Sequence, residues 1–225
     1  MSSSNYRKNG AAGGSVATQS KTTTVFLVRH GRTPTTGKVL PGRSKGLHLS
    51  DEGRAQAEAV ALRLSELQNP PSAVYASPLE RTQETAAPIA RALGLRVRTA
   101  QGLVECDVGD WTGKDLKALN QTPEWSNVHG WTGAFRFPSG ESFAELTTRT
   151  INALLALVAK HQGERVVAVS HADSIKAGVA ACAGIPLDLF QRLEISPCSI
   201  SAIAFHPHGT SILCVNALGN LNELG

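Results

Sequence analysis

Hydrophobic and polar positions follow two periods along the chain. Thr24 to Val28 is an unbroken β-branched and apolar run, the pattern of a strand buried on both faces. It stops at Arg29-His30-Gly31, where two groups able to carry positive charge meet a residue that permits an unusual backbone turn. From Ser50 the period becomes helical. Val60, Leu64 and Leu67 form an apolar stripe on a helix to about Leu67, with Ala55 and Ala59 allowing close approach. Ser50 suits its N-cap, and Asp51 and Glu52 suit the positive end of its dipole. Ala73 to Ala76 reads as a second strand, and Ser77-Pro78 opens a helix through about Leu93 with Gly94 as its cap. Leu95 to Thr99 is a third strand.

Between these elements the pattern lapses twice. Pro34 to Leu49, with Pro34, Gly37, Pro41, Gly42 and Gly46, is a long loop directly after the Arg-His pair, and predicts one wall of a site. Gly102 to Gly140 is irregular and carries all three tryptophans, Trp111, Trp125 and Trp131. It reads as a lid packed by its own tryptophans, with a short helix near Lys114 to Asn120. The helical stripe returns from Glu141 to His161 at Phe143, Leu146, Ile151, Leu154 and Val158. Arg165 to Ser170 is an apolar strand that again ends in a histidine, His171, before a helix to about Ala183. Ile200 to Phe205 and Ser211 to Val215 flank His206-Pro207-His208-Gly209, a hairpin signal. The alternation predicts a three-layer α/β fold with a mostly parallel sheet and one antiparallel edge strand.

Composition changes this picture little. At 225 residues, 41% hydrophobic and 18% charged, the chain suits one α/β domain. The net charge of +4 is concentrated at one end. Residues 1–23 hold Arg7, Lys8 and Lys21 and no acid, leaving 19 basic against 18 acidic residues elsewhere. A body so nearly neutral lacks the footprint of a nucleic-acid binder. Residues 1–23 read as a disordered leader before a domain at 24–225. No apolar run reaches the roughly 20 residues needed to span a bilayer, and no secretory signal is visible, so a cytoplasmic location is expected. Cys106, Cys182, Cys198 and Cys214 are scattered without zinc spacing, and the last three read as buried, inert thiols.

Two strands ending in histidine, within one parallel sheet, place His30 and His171 on the same side of the molecule. Arg29 follows the first strand, Arg81 lies in the first turn after the second, and Glu105 sits on the loop after the third. Two histidines, two arginines and one carboxylate suit a tetrahedral oxyanion, because guanidinium forks match phosphate oxygens in charge and geometry.

On these residues the sequence resembles the histidine phosphatase superfamily, with its phosphoglycerate mutase-like fold. The resemblance is carried by Leu27-Val28-Arg29-His30-Gly31-Arg32-Thr33 and by Ser77-Pro78-Leu79-Glu80-Arg81-Thr82-Gln83-Glu84-Thr85. Leu103-Val104-Glu105 with Gly109-Asp110-Trp111-Thr112-Gly113, and then Val169-Ser170-His171, follow in order. Gly42-Arg43-Ser44 and Leu49 to Ala57 also match. The resemblance implies a phosphohistidine on His30, phosphate held by Arg29 and Arg81, and donation from His171. It implies Glu105 as general acid and base, with no metal and no cofactor. The partner is then a small phosphomonoester, with neither nucleic acid nor membrane; the oligomeric state stays open. A free lone pair on neutral imidazole fits the nucleophile, whose other nitrogen needs an acceptor such as a backbone carbonyl.

Arg32 and Thr36 stand where mutases of this fold carry Glu or Gln and Asn, and Gly113 to Gly140 lacks their paired arginines. This favours phosphatase over mutase, with a non-catalytic phospho-ligand-binding protein as the remaining alternative. Arg32, Arg43, Lys114 and Arg136 are the candidates for a second anionic group on the substrate. His48, His129, His161, His206 and His208 read as surface histidines.

Overall fold

The computed structural model describes residues 21–221. The expected leader therefore lies outside the described residues, apart from its last three, of which Thr23 already opens the first strand. Six strands form one sheet: β1 (Thr23–Arg29), β2 (Ala73–Ala76), β3 (Val97–Thr99), β4 (Arg165–Ser170), β5 (Ile200–His206) and β6 (Gly209–Ala217). Their order is β3-β2-β4-β1-β5-β6. β1 to β4 pair in parallel, while β5 runs antiparallel to β1 and its hairpin mate β6 closes that edge. The mostly parallel α/β sheet with an antiparallel edge is thus as the pattern predicts.

Among the described residues six α-helices accompany the sheet: α1 (Asp51–Ser65), α2 (Glu80–Ala92), α3 (Leu116–Leu119), α4 (Pro123–Gly130), α5 (Phe143–Lys160) and α6 (Ala172–Ala183). Strand alternation sorts the core into two faces. Phe26 and Val28 of β1 pack with Val60 and Leu64 of α1 and Ile89 of α2. Val25 and Leu27 turn the other way, onto Leu154 of α5 and Ile175 and Val179 of α6. This period-two division of one buried strand between two helical layers is what makes the sandwich three layers deep.

Several local readings shift. Ser50 caps α1 through the Gly53 N–H, as expected, but Ala55 and Ala59 are exposed; Ala57 and Ala61 supply the close approach. α2 begins at Glu80, because Ser77-Pro78 still belongs to the turn leaving β2. α5 is closed at its start by a capping box between Ser142 and Glu145. Residues 102–140 contain a second helix, α4, with Pro123 in its first turn. Trp111 and Phe137 there form a third core cluster with Phe143, Leu146 and Phe190. Trp111 packs on Trp125, but Trp131 is 70% exposed and takes no part. Cys106 and Cys198 are buried, whereas Cys182 and Cys214 are only half-buried; all four are free. Among the described residues, no helix is long and apolar enough to cross a membrane.

Candidate active site

The parallel register of β1 against β4 aligns Arg29 with Ser170, so the next residue of each strand, His30 and His171, emerges beside the other. The His30 N–H donates to the Ser170 carbonyl at 2.9 Å, and the two rings meet edge to face with centroids 5.3 Å apart. Both histidines are buried. His30 Nδ1 lies 2.8 Å from the Gly31 carbonyl oxygen. A carbonyl only accepts, so Nδ1 holds the proton and Nε2 keeps its lone pair. Burial, followed by the charges of Arg81 and Arg29, holds the His30 pKa down to about 3. The ring is therefore neutral at neutral pH.

Gly31 meets a different need from the one its turn-forming freedom suggests. It has no positive φ. A Cβ on it would lie 2.5 Å from the Gly53 carbonyl oxygen. The glycine lets the segment after β1 lie directly against the first turn of α1, which fixes the carbonyl that orients His30.

Arg81, in the first turn of α2, is fully buried. Its Nη2 donates to Gly42 O at 2.8 Å and its Nη1 to Ser44 O at 3.3 Å, so the loop after β1 does reach the site. Two carboxylates of α2 pin that loop: Glu80 takes the Gly46 N–H and Glu84 the Leu49 N–H. Arg29 Nη1 donates to Ile195 O at 2.6 Å, at the approach to β5. Burial lowers both arginine pKa values, with Glu105 the largest opposing influence on each. A guanidinium nonetheless keeps its charge.

Among the described residues, seven buried side-chain nitrogen or oxygen atoms lack a hydrogen-bond partner, and three belong here: Arg29 Nε, Arg81 Nε and His171 Nδ1. Unpaired buried polar atoms are costly, and the two arginine Nε donors among them, beside a neutral histidine, suit an anionic ligand. The other nitrogen of His171 lies 2.8 Å from Ser77 Oγ. Burial first, then the charges of Arg81, His30 and Arg29, hold His171 well below the usual histidine range.

Glu105 stands on the loop after β3, half-buried, with Oε1 accepting the Cys106 N–H at 2.9 Å. Ser170 Oγ and Ser174 Oγ donate to the carbonyls of Leu103 and Val104, tying this loop to the end of β4 and the start of α6. Burial and then the neighbouring Asp173 push the Glu105 pKa up to about 7, against the Cys106 N–H and the charges of Arg81 and Arg29. These mutual charge influences bring all five predicted residues into one electrostatic cluster.

The other sequence-predicted cations are engaged by groups of the protein itself or lie apart from the cluster. Arg32 pairs with Glu52, Arg43 with Asp107 and Glu141, and Arg136 with Glu145. Lys114 lines a separate cavity of about 450 Å³ beside Trp111 and Leu119. His161 is not a surface histidine; it is buried between the Tyr75 hydroxyl at 2.9 Å and Glu164 at 2.8 Å. Among the described residues, no group of three or more His, Cys, Asp or Glu is placed to hold a metal ion. Pattern reading missed Ser77 as the partner of His171, and missed Arg149. The latter carried a signal: it follows Leu146 by three residues, which puts a charge on the apolar stripe of α5.

A buried neutral histidine, unpaired cationic donors and a carboxyl of raised pKa, at the carboxyl end of a parallel sheet, define an anion-handling α/β protein. The family model described as "Histidine phosphatase superfamily (branch 1)" matches residues 25–218. The chain belongs to that superfamily. It is 34% identical over 185 residues to the "Probable phosphoglycerate mutase GpmB" of Escherichia fergusonii, covering 80% of this chain and 84% of the relative. It is 31% identical over 189 residues to "Phosphoserine phosphatase 1" of Hydrogenobacter thermophilus, covering 81% and 88%. The native structure of a mycobacterial glucosyl-3-phosphoglycerate phosphatase superposes with a TM-score of 0.79 at 26% identity, covering 88% of this chain and all of that one (100%).

Proposed function

We propose that the protein is a metal-independent phosphomonoesterase working through a phosphohistidine on His30. The observation that carries this reading is the 2.8 Å contact from His30 Nδ1 to the Gly31 carbonyl, which leaves Nε2 as an oriented, unprotonated nucleophile. In this reading Arg29 and Arg81 hold the phosphoryl oxygens. Ser77 donates to His171 Nε2, so that the proton on Nδ1 points to the phosphoryl group. The His30 lone pair forms the N–P bond as the ester P–O bond breaks, and the departing alkoxide takes the proton of Glu105. The Glu105 carboxylate then takes a proton from water, whose oxygen attacks phosphorus as the P–N bond breaks. Phosphate leaves and both residues return to their starting states. Phosphoryl transfer draws most of its acceleration from positioning and charge stabilisation, which the side chains of Arg29, Arg81 and His171 are able to supply. Residues 102–140 cover the bound ester as a lid.

The substrate is a small phosphomonoester. Phosphomutase activity is the second reading, favoured by the likeness to a protein named as a phosphoglycerate mutase. Against it, Arg32, Arg43 and Arg136 are each paired with a carboxylate of the protein itself, which a substrate carboxylate would have to displace.

The test is phosphate release from a panel of phosphomonoesters in EDTA, together with acid-quenched phosphoenzyme, for wild type and His30→Ala. Release and phosphoenzyme that both vanish in the variant support the hydrolase. Phosphoenzyme that returns its phosphate to substrate faster than to water supports the mutase.

A further inference from the structure

Glu105 stands on an irregular loop, yet its task in the proposed reaction needs a carboxyl held to within a fraction of an ångström. The loop is short of its own hydrogen bonds. The carbonyls of Gly102, Val104 and Glu105 are instead taken by one side chain, Arg149 of α5. Its Nη1 donates to Gly102 O and Val104 O, both at 2.9 Å, and its Nη2 to Glu105 O at 3.3 Å. From the opposite side Arg43, on the loop after β1, donates through Nε to the same Glu105 carbonyl at 2.9 Å.

One carboxylate joins the two arginines. Glu141 Oε1 accepts from Arg149 Nε at 3.0 Å, and its Oε2 accepts from Arg149 Nη2 at 2.9 Å. The same Oε2 pairs with Arg43 Nη2 at 2.9 Å and takes the Asp107 N–H at 3.0 Å. The Glu141 backbone N–H also donates to Asp107 O at 2.8 Å. Burial raises the Glu141 pKa, but the Arg149 bonds, the Asp107 N–H and both arginine charges outweigh it, so it stays ionised. Arg149 and Glu141 are only 22% and 18% exposed at their side chains, and their planar fork-to-fork contact is the strong, orienting kind of ion pair. Residues on both sides of Glu105, from 102 to 107, are therefore held through a single bridging carboxylate.

None of these three side chains hydrogen-bonds or ion-pairs with His30, Arg29, Arg81 or His171, and Arg149 acts on His171 only through its charge; their bonds hold the backbone of the Glu105 loop. We infer that Glu141, through Arg149 and Arg43, positions the Glu105 carboxyl for proton transfer and is separable from the apparatus that captures the phosphoryl group. The inference rests on the role of Glu105 proposed above.

Leaving-group chemistry distinguishes this from a general structural role. An alkyl phosphate needs its departing oxygen protonated, whereas p-nitrophenolate departs without a proton. The full chain is assayed with both esters as wild type, Glu105→Gln, Glu141→Gln, Arg149→Met and Arg43→Met. Arg43 is the mildest site, being about a third exposed on a loop, and keeps the test open if the Arg149 or Glu141 variants fold poorly. The rate of phosphohistidine formation is read by rapid quench. The expected result is a loss of about 10- to 100-fold with the alkyl ester in the Glu141 and Arg149 variants, and a smaller loss in Arg43→Met. Phosphohistidine formation from p-nitrophenyl phosphate changes by less than about threefold. Equal losses with both esters, or no loss with either, overturn the inference while leaving Glu105 in its role. If Glu105→Gln itself fails to distinguish the esters, both this inference and the acid role of Glu105 fall together.

Discussion

The two halves of the site are held in place by different physics. His30, Arg29 and His171 sit at the ends of two adjacent parallel strands, and a backbone ladder of fixed register sets their spacing. Glu105 sits on a loop with little regular structure and is fixed by side chains reaching in from α5, α6 and the loop after β1. A strand end is positioned by interactions every strand makes, so its geometry is robust and local. A loop carboxylate depends on a few specific bonds made over long sequence distances. The electrostatics divide in the same way. Burial among cations makes His30 neutral, while burial beside Asp173 raises the Glu105 pKa to about 7.

The largest effect that separates the halves is expected at His30. His30→Ala removes the lone pair itself, and phosphate release from any monoester should fall by about four orders of magnitude or more, with no acid-labile phosphoenzyme. Arg81→Met comes next. It removes a buried cation of the capture half, and kcat/KM should drop by about 10² to 10³ for activated and unactivated esters alike. An Arg81 loss confined to alkyl esters would place this residue with the acid half.

The pH profile sharpens the contrast. In its proposed role Glu105 serves as an acid only while protonated, so kcat for an alkyl ester should decline as pH rises through about 7. His30 gains a proton only near pH 3, so phosphohistidine formation from p-nitrophenyl phosphate should stay level between about pH 5 and 8. Parallel pH dependence for the two esters would break the division.

The smallest effect concerns stability. The folded-state pKa of Glu105 lies above its unfolded value, so the unfolded chain holds fewer protons between those two values. Folding stability is then lost as pH rises from about 4.5 through about 7. Glu105→Gln removes that cost and should be more stable than wild type at pH 8 by about 1 to 3 kcal/mol, while losing acid catalysis. Chemical denaturation at pH 8 and at pH 5 checks this, and an equal gain at both values would show that the carboxyl does not titrate as described.

Much of the capture half was legible before any coordinates. An apolar run that stops at Arg-His needs only the rule that ligands gather at the carboxyl ends of parallel strands. Arg81 followed from its place in a first helical turn, and the loop from Pro34 to Leu49 does reach Arg81 through the carbonyls of Gly42 and Ser44. The local pattern failed where the deciding neighbour was far along the chain. Gly31 is needed because Gly53 packs on it, 22 positions away, and not for its turn. His161 looks solvated in sequence, but the fold brings Tyr75 onto it. Arg32, Arg43 and Arg136 look like free cations until Glu52, Glu141 and Glu145 are seen beside them.

What the sequence by itself determined is the set of elements and the candidate groups on which the proposed chemistry rests. Hydrophobic period, caps and abrupt strand ends are local properties, written within a few residues of one another. Only the tertiary structure decided the protonation states and the aim of those groups. A neutral His30, the raised pKa of Glu105 and the Glu141 bridge all depend on burial and on charges brought together across the sheet. Electrostatic energy depends on distance and on exclusion of water, and neither is a property of a chain until it is folded.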